Sequence, residues 1–314
     1  MSAVLILAYR RWQNIHLILE QCRLAGVPRI YFHVDCGVTE IEKADVQRTI
    51  DVASDYKKRW ELDIRIATQE QNIGCAVSMI SSLNTIFQDE KQLTVLEDDC
   101  IPTLDFFYFM DASFREMEKN PKISIACGAQ FAPSNVTQGD WLLSRYPFNW
   151  GWGISKNHWK LLFATIHEDN SLKTVESQIT RTECCYWNAG SRRALNGYTD
   201  VWDTLLVREM IRLNSLAVLP GVNLVKNIGN DDHALHTQGE QEWINFSTGK
   251  FLGHSNVPNF HSGFDEWARS EFYKISKRHY FSTKITWFLD TFLRKPKRRP
   301  LKQRIQFAKV SFDL

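Results

Sequence analysis

Residues 94–107 read TVLEDDCIPTLDFF: an apolar run closes on three consecutive carboxylates, Glu97, Asp98 and Asp99, and a fourth acid, Asp105, precedes two phenylalanines. Adjacent like charges repel, and they lose hydration where they are buried, so such a cluster calls for a compensating cation. Mg²⁺ and Mn²⁺ suit it. Both take hard oxygen ligands, and often only one or two protein carboxylates, with phosphates and waters completing the shell. The plainer alternative is a solvated acidic turn in which Thr103 or Asp105 caps the helix that follows.

The position of the triplet in the chain sets the architecture. It ends the run LTVLE (93–97), and comparable β-rich runs occur at VLILAY (4–9), RIYFHVD (29–35), LDIRIAT (62–68) and ISIACG (123–128). Their starts are spaced by about thirty residues, the length of one strand–helix–strand unit. The intervals between them carry helical periodicity, as in Ile15, Ile18, Leu19 and Cys22, or Ala76, Met79, Ile80 and Leu83. Nearly continuous apolar strands alternating with amphipathic helices predict an α/β fold with a parallel sheet covered on both faces. Ligands of such sheets bind outside the carboxyl ends of the strands. Asp35, Glu97, Asp98 and Asp99 all lie at such ends, so the fold gathers them on one rim.

Beyond residue 130 the pattern loosens into aromatic-rich loops, including YPFNWGWGI (146–154). Helices are expected near 155–164, 171–195 and 201–213, and short apolar pieces at LAVLP (216–220) and VNLV (222–225). The expected organisation is a catalytic domain over 1–265, with halves at 1–130 and 131–265, followed by a helical basic extension over 266–314.

Bulk composition narrows the function classes. The 314 residues carry a net charge of +2, which gives the whole molecule no electrostatic match to nucleic acid. Seven cysteines, an odd number with no C-x-x-C pair, fit reduced thiols in the cytoplasm. AVLILAY near the start is too short for a signal or membrane-spanning segment. The charge is uneven, however: Arg294 to Lys309 contains eight Lys or Arg and no acid. With the preceding ITWFLDTFL (285–293), this stretch predicts contact with an anionic membrane surface from the cytoplasmic side, or else an apolar face docked on the domain.

LTVLEDDCIPTLDFFYFM resembles the signature of GT-A glycosyltransferases, particularly the N-acetylglucosaminyltransferase-I type and related bacterial surface-polysaccharide transferases. The likeness runs in order through ILAYRR (6–11), FHVDCG (32–37), QNIGCAVSMI (71–80), the triplet, FNWGWGIS (148–155), VWDTLL (201–206) and PGVNLVKNIGNDDHALHT (220–237). It implies a GT-A, Rossmann-like domain with a mostly parallel sheet, acting as a Mn²⁺- or Mg²⁺-dependent inverting glycosyltransferase. The donor would be a nucleotide sugar, UDP-linked by expectation. The acceptor would be a saccharide or lipid-linked saccharide of surface polysaccharide or lipopolysaccharide synthesis.

Position by position, the resemblance implies that Asp35 bonds the nucleotide base and that Tyr9 and Arg10 line its pocket. Glu97 and Asp98 would lie near the ribose and metal-bound waters, and Asp99 would bind the metal. Asp203 would be the general base, with Asp200 as its rival because the neighbourhood departs from the W-D-D-W form. Asn72 and Gly74 either meet the nucleotide or only cap the next helix. Trp150 and Trp152 either form an acceptor platform or belong to the core. His236, within NDDHALHT, is the candidate second ligand of the metal or phosphates.

Two other classes compete. A sugar nucleotidyltransferase expects a glycine-rich phosphate loop after the first strand, where this chain has AYRRWQNI. A non-catalytic assembly protein that keeps the fold has no need of an intact triplet and base.

Overall fold

The computed structural model describes residues 1–137, 139–166, 172, 179–229, 247–253 and 257–313. Eight strands form one sheet in the order β3-β2-β1-β4-β8-β6-β9-β7. They are β1 (Ala3–Ala8), β2 (Ile30–Val34), β3 (Ile64–Thr68), β4 (Gln92–Glu97), β6 (Ile123–Cys127), β7 (Trp141–Ser144), β8 (Trp152–Ser155) and β9 (Leu216–Pro220). A two-stranded ribbon pairs β5 (Cys100–Pro102) with β10 (Val225–Asn227).

β1 pairs in parallel with both β2 and β4, β2 with β3, and β6 with β9. β8 runs antiparallel between β4 and β6, and β7 runs antiparallel to β9. Six strands therefore share one direction and two oppose it: the sheet is mostly parallel rather than wholly so. The reversal is the work of WGIS (152–155), a short run inside the aromatic stretch. Gly153 leaves room there for Phe114, whose ring would lie 2.8 Å from a Cβ at that position.

Alternation along the strands feeds two cores. Leu5, Leu93, Val95 and Trp152 face one side, packed by Ala76, Met79, Ile80 and Leu83 of α3 (Cys75–Ile86). Val4, Ile6, Phe32 and Leu96 face the other, packed by Ile15, Ile18, Leu19 and Cys22 of α1 (Trp12–Ala25). Phe106, Phe109 and Met110 of α4 (Leu104–Lys119) join that second layer. Local signals agree with these limits. Thr39 and Glu42 form a capping box at the start of α2 (Glu40–Trp60), and Gly26 closes α1 at φ 70°.

Later helices run as α5 (Lys156–Ile166), α6 (Arg181–Leu195), α7 (Asp203–Arg212), α8 (Ser262–Trp267), α9 (Lys277–Phe292) and α10 (Leu301–Phe307). α6 starts ten residues after the start of the expected 171–195 helix, and residues 171 and 173–178 lie outside the described residues. The expected run VNLV (222–225) becomes a strand only from Val225 onward.

The segment after 265 packs into the body of the protein. Ala268, Ile275 and Leu301 are buried in the same cluster as the α3 side of the sheet. Phe312 meets Tyr31 edge-on at 5.1 Å, and the Asp313 N–H donates to the Ile66 carbonyl of the outermost strand. Of the two readings of the basic stretch, docking holds for 297–313. Among the described residues, no helix is long and apolar enough to cross a membrane.

Leu301 is fully buried. Leu301→Ala should cost about 2–4 kcal/mol in urea unfolding and speed proteolysis after Arg294; unchanged stability would mean that the segment does not pack as described.

Candidate active site

The carboxyl ends of β1, β2 and β4 open onto a cavity of about 450 Å³. Its register is direct: Leu7 stands level with His33 on one side and Glu97 on the other. Tyr9, Arg10, Asp35, Asn72, Gly74, Glu97, Asp98, Asp99, Trp150, Asp200 and Asp203 all line it. Eleven residues singled out from sequence thus meet in one place. Trp152 does not. It is 1% exposed and stacks on Trp202 at 5.0 Å, so it is a core side chain with no face to offer a sugar. His236, with its neighbours in NDDHALHT, lies outside the described residues.

The triplet meets a cation supplied by the chain itself. Arg11 Nη1 donates to Asp98 Oδ1 at 3.0 Å and to Asp99 Oδ2 at 3.2 Å, while its Nη2 donates to the Gly229 carbonyl. Asp98 also accepts the Tyr9 N–H at 2.9 Å, so its carboxylate ties the end of β4 to the turn entering α1. Asp99 remains part-exposed on the cavity wall, and the Ile228 N–H donates to its carbonyl. A Cβ on Gly229 would come within 2.2 Å of Asp99 Oδ2, so the chain needs glycine where it passes the acid. Asp105, the fourth acid of the opening stretch, accepts the Phe251 N–H, and Thr103 caps α4.

Arg11 neutralises the cluster only in part. Desolvation, then the charges of Asp99, Asp98 and Asp203, push Glu97 up to about 8 from 4.5. Desolvation and Asp98 raise Asp99 as well. Carboxylates pushed upward by burial and by one another are suited to a divalent ion, whose charge favours their ionised form. Among the described residues no three His, Cys, Asp or Glu side chains converge as a ready cage. One or two carboxylates suffice for an ion that also binds substrate phosphates, so Asp99, with Glu97 beside it, fits that role.

Asp35 has work of its own. Its Oδ1 accepts the N–H groups of Cys36 and Ile73, and its Oδ2 accepts that of Gly74 at 2.7 Å. The carboxylate therefore holds the loop entering α3, and those three N–H groups oppose the rise that burial imposes on its pKa. Asn72 donates to the Cys36 carbonyl across the same loop.

The two candidate bases differ sharply. Asp200 is enclosed: it accepts the Cys75 N–H at 3.0 Å at the start of α3 and Arg304 Nη1 at 2.9 Å. Asp203 is the exposed first residue of α7 and faces the cavity. Cys75, also on the wall, is pushed well above its ordinary range by burial, then by Glu97 and Asp200, and stays a thiol. No thiolate nucleophile is on offer there.

Sequence reasoning missed Arg11, His33, Asn149, Asn227 and Arg298, which also line the cavity. Arg11 was within sight, as the second arginine of ILAYRR. Arg298 arrives from more than two hundred residues downstream of Asn72 and has no local signal.

The chain matches no family model and no curated protein. Among solved structures it is similar to "Crystal Structure of A197 from STIV", at 9% identity and a TM-score of 0.32, over 72% of this chain and 84% of that one. The architecture is α/β with a large, mostly parallel sheet between helical layers, compatible with a Rossmann-like fold.

Glu97 holds its proton when folded and releases it when unfolded between pH 4.5 and about 8, so the unfolded chain binds fewer protons there. Stability of the metal-free protein should then fall as pH rises through that window. Glu97→Gln should flatten the thermal-melting profile between these limits; an unaltered profile would show that Glu97 ionises normally.

Proposed function

We propose that this protein is a metal-dependent inverting glycosyltransferase of the GT-A type. It would use a nucleotide sugar, UDP-linked in the first instance, and a saccharide acceptor in surface polysaccharide or lipopolysaccharide synthesis. One observation carries the reading. A single cavity at the carboxyl rim of the sheet joins the acid triplet to an exposed carboxylate, Asp203, on a separate helix.

That arrangement suits a single displacement. Asp203 takes the proton of the acceptor hydroxyl while that oxygen attacks the anomeric carbon. The bond from that carbon to the diphosphate breaks on the opposite face, and configuration inverts through an oxocarbenium-like state. Asp99 would hold the divalent ion, with Glu97 at its side, and the ion when bound would offset charge on the departing diphosphate. Asp98 and Arg11 brace that wall, and Asp35 fixes the loop against which the nucleoside lies. Trp150, part-exposed and set against Phe131 at 4.8 Å, is the aromatic face left for an acceptor ring. Asp200 is spoken for by Cys75 and Arg304, so it serves the framework and leaves the base to Asp203.

The Arg11 bridge favours a second reading, a non-catalytic protein of the same fold in which the arginine replaces the metal permanently. Metal-dependent hydrolysis of nucleotide sugars, which needs no acceptor, separates the two. The transferase reading expects at least one sugar nucleotide to be hydrolysed only with Mn²⁺ or Mg²⁺. Asp99→Asn should abolish that dependence. With acceptor present, Asp203→Asn should lower turnover by about 100-fold or more while donor affinity holds. Normal turnover in Asp203→Asn would remove the base assignment, and no hydrolysis of any donor would favour the second reading.

We also propose that α9 rests on an anionic membrane surface at the cytoplasmic side, where lipid-linked acceptors would be met. Phe281, Ile285, Phe288 and Leu293 are 53–70% exposed, and Arg294, Lys295, Lys297 and Arg299 follow on the surface. Apolar side chains beside cations suit the headgroup boundary, at about 1 kcal/mol per basic residue. Ile285→Ser with Leu293→Ser should weaken cosedimentation with phosphatidylserine vesicles and leave the melting temperature in place. Equal sedimentation would retire the membrane contact.

A further inference from the structure

We propose that Arg298, delivered by the C-terminal segment, is a donor-binding residue whose guanidinium takes a phosphate oxygen of a nucleoside diphosphate. This rests on the nucleotide-sugar reading above and extends it to a residue far from the triplet in sequence.

Three guanidinium groups line the cavity: those of Arg10, Arg11 and Arg298. Two are committed to carboxylates at bonding distance. Arg10 Nη1 donates to Glu42 at 3.0 Å, and Arg11 bridges Asp98 and Asp99. Arg298 is held differently. Its Nη2 donates to the Asn72 amide oxygen at 3.1 Å, and the Asp200 carboxylate lies at 3.7 Å, beyond a good hydrogen bond. The side chain is 35% exposed. A guanidinium with a loose ion pair, facing a cavity, retains donors for the oxygens of an anionic group such as a phosphate. Its charge is felt across the site, where it favours the ionised form of Asp35.

The position is built by several independent contacts. The N–H groups of Lys297 and Arg298 both donate to the Gly197 carbonyl, at 3.0 and 3.1 Å. Gly197 has φ +78°, and a Cβ there would come within 2.2 Å of the Arg298 carbonyl oxygen. Leu301, just beyond, is buried, and Arg304 grips both Asp200 and the Ile73 carbonyl. On the opposite side, a Cβ on Gly74 would lie 2.7 Å from Arg298 Nη1 and 2.1 Å from Asp200 Oδ2. Two glycines thus clear the path by which this side chain enters.

The chemistry requires such a group. Six carboxylates line the cavity: Asp35, Glu97, Asp98, Asp99, Asp200 and Asp203. A diphosphate entering among them meets repulsion that one divalent ion offsets only on its own side. A guanidinium on the α3 side supplies the opposing clamp.

Calorimetric titration with UDP, GDP and uridine in MnCl₂ tests the assignment. Arg298→Ala should weaken UDP binding about tenfold or more and leave uridine affinity within about twofold. Arg298→Lys should recover part of the loss as a point charge. Arg299→Ala removes the same charge from the exposed neighbouring position and should leave UDP binding as it was. Arg298→Ala that binds UDP as the wild type does would overturn the proposal and leave the nucleotide reading standing. Equal loss of UDP and uridine would also overturn it, by moving the contact to the nucleoside. Should Arg298→Ala melt below the wild type, Arg298→Gln and Arg298→Lys carry the comparison. A wild type that binds neither UDP nor GDP removes the nucleotide reading and this proposal together.

Discussion

Mutual repulsion among carboxylates at the end of β4 organises everything around it. Glu97, Asp98 and Asp99 are forced together by a strand whose Leu93, Val95 and Leu96 are buried and which is locked between β1 and β8. The sheet cannot release them, because a shift of one residue would turn Leu93 and Val95 out of one core and Leu96 out of the other. The cost of crowding is met locally by Arg11 and by the Tyr9 N–H, which is why the turn after β1 is polar and cationic rather than glycine-rich. Glu97 and Asp99 stay raised even so, by burial first and then by their acidic neighbours.

The carboxylates differ in what they accept. Asp35, Asp98, Asp105 and Asp200 each hold a backbone N–H of another segment. They tie separate segments together, and those bonds offset the cost of placing a carboxylate out of water. Glu97, Asp99 and Asp203 line the cavity, where Asp99 accepts Arg11 and Asp203 accepts the N–H of its neighbour Thr204.

Much of this was legible in the chain because local rules and tertiary demands coincide in the first half. Strand ends, helix faces such as Ile15–Ile18–Leu19–Cys22, and the acid triplet all follow from period and charge. The second half obeys longer-range constraints. WGIS reads as part of a loop, yet it slots between β4 and β6 against their direction, because Trp152 and Ile154 fill the core and Gly153 admits Phe114. Trp152 drew attention as a surface ring on the strength of its flanking glycines, but those glycines serve close packing. Asp203 and its rival Asp200 lie three residues apart in sequence and are distinguished by the Cys75 N–H and by Arg304, a partner about a hundred positions away. Arg298 was invisible for the same reason: its stretch reads as a run of positive charge, and only the fold separates the arginine that turns inward from the lysines that stay in solvent.

Phe312 and Asp313 carry a consequence for solubility. β3 is the outermost strand on its side of the sheet, and an outermost strand offers unmet hydrogen-bonding groups to any other extended chain. Asp313 bonds Ile66 on that margin and Phe312 covers Tyr31 on β2 beside it, so this segment shields part of the flank. Without the cover of 312 and 313, more of that ribbon would lie bare for a second molecule to stack on.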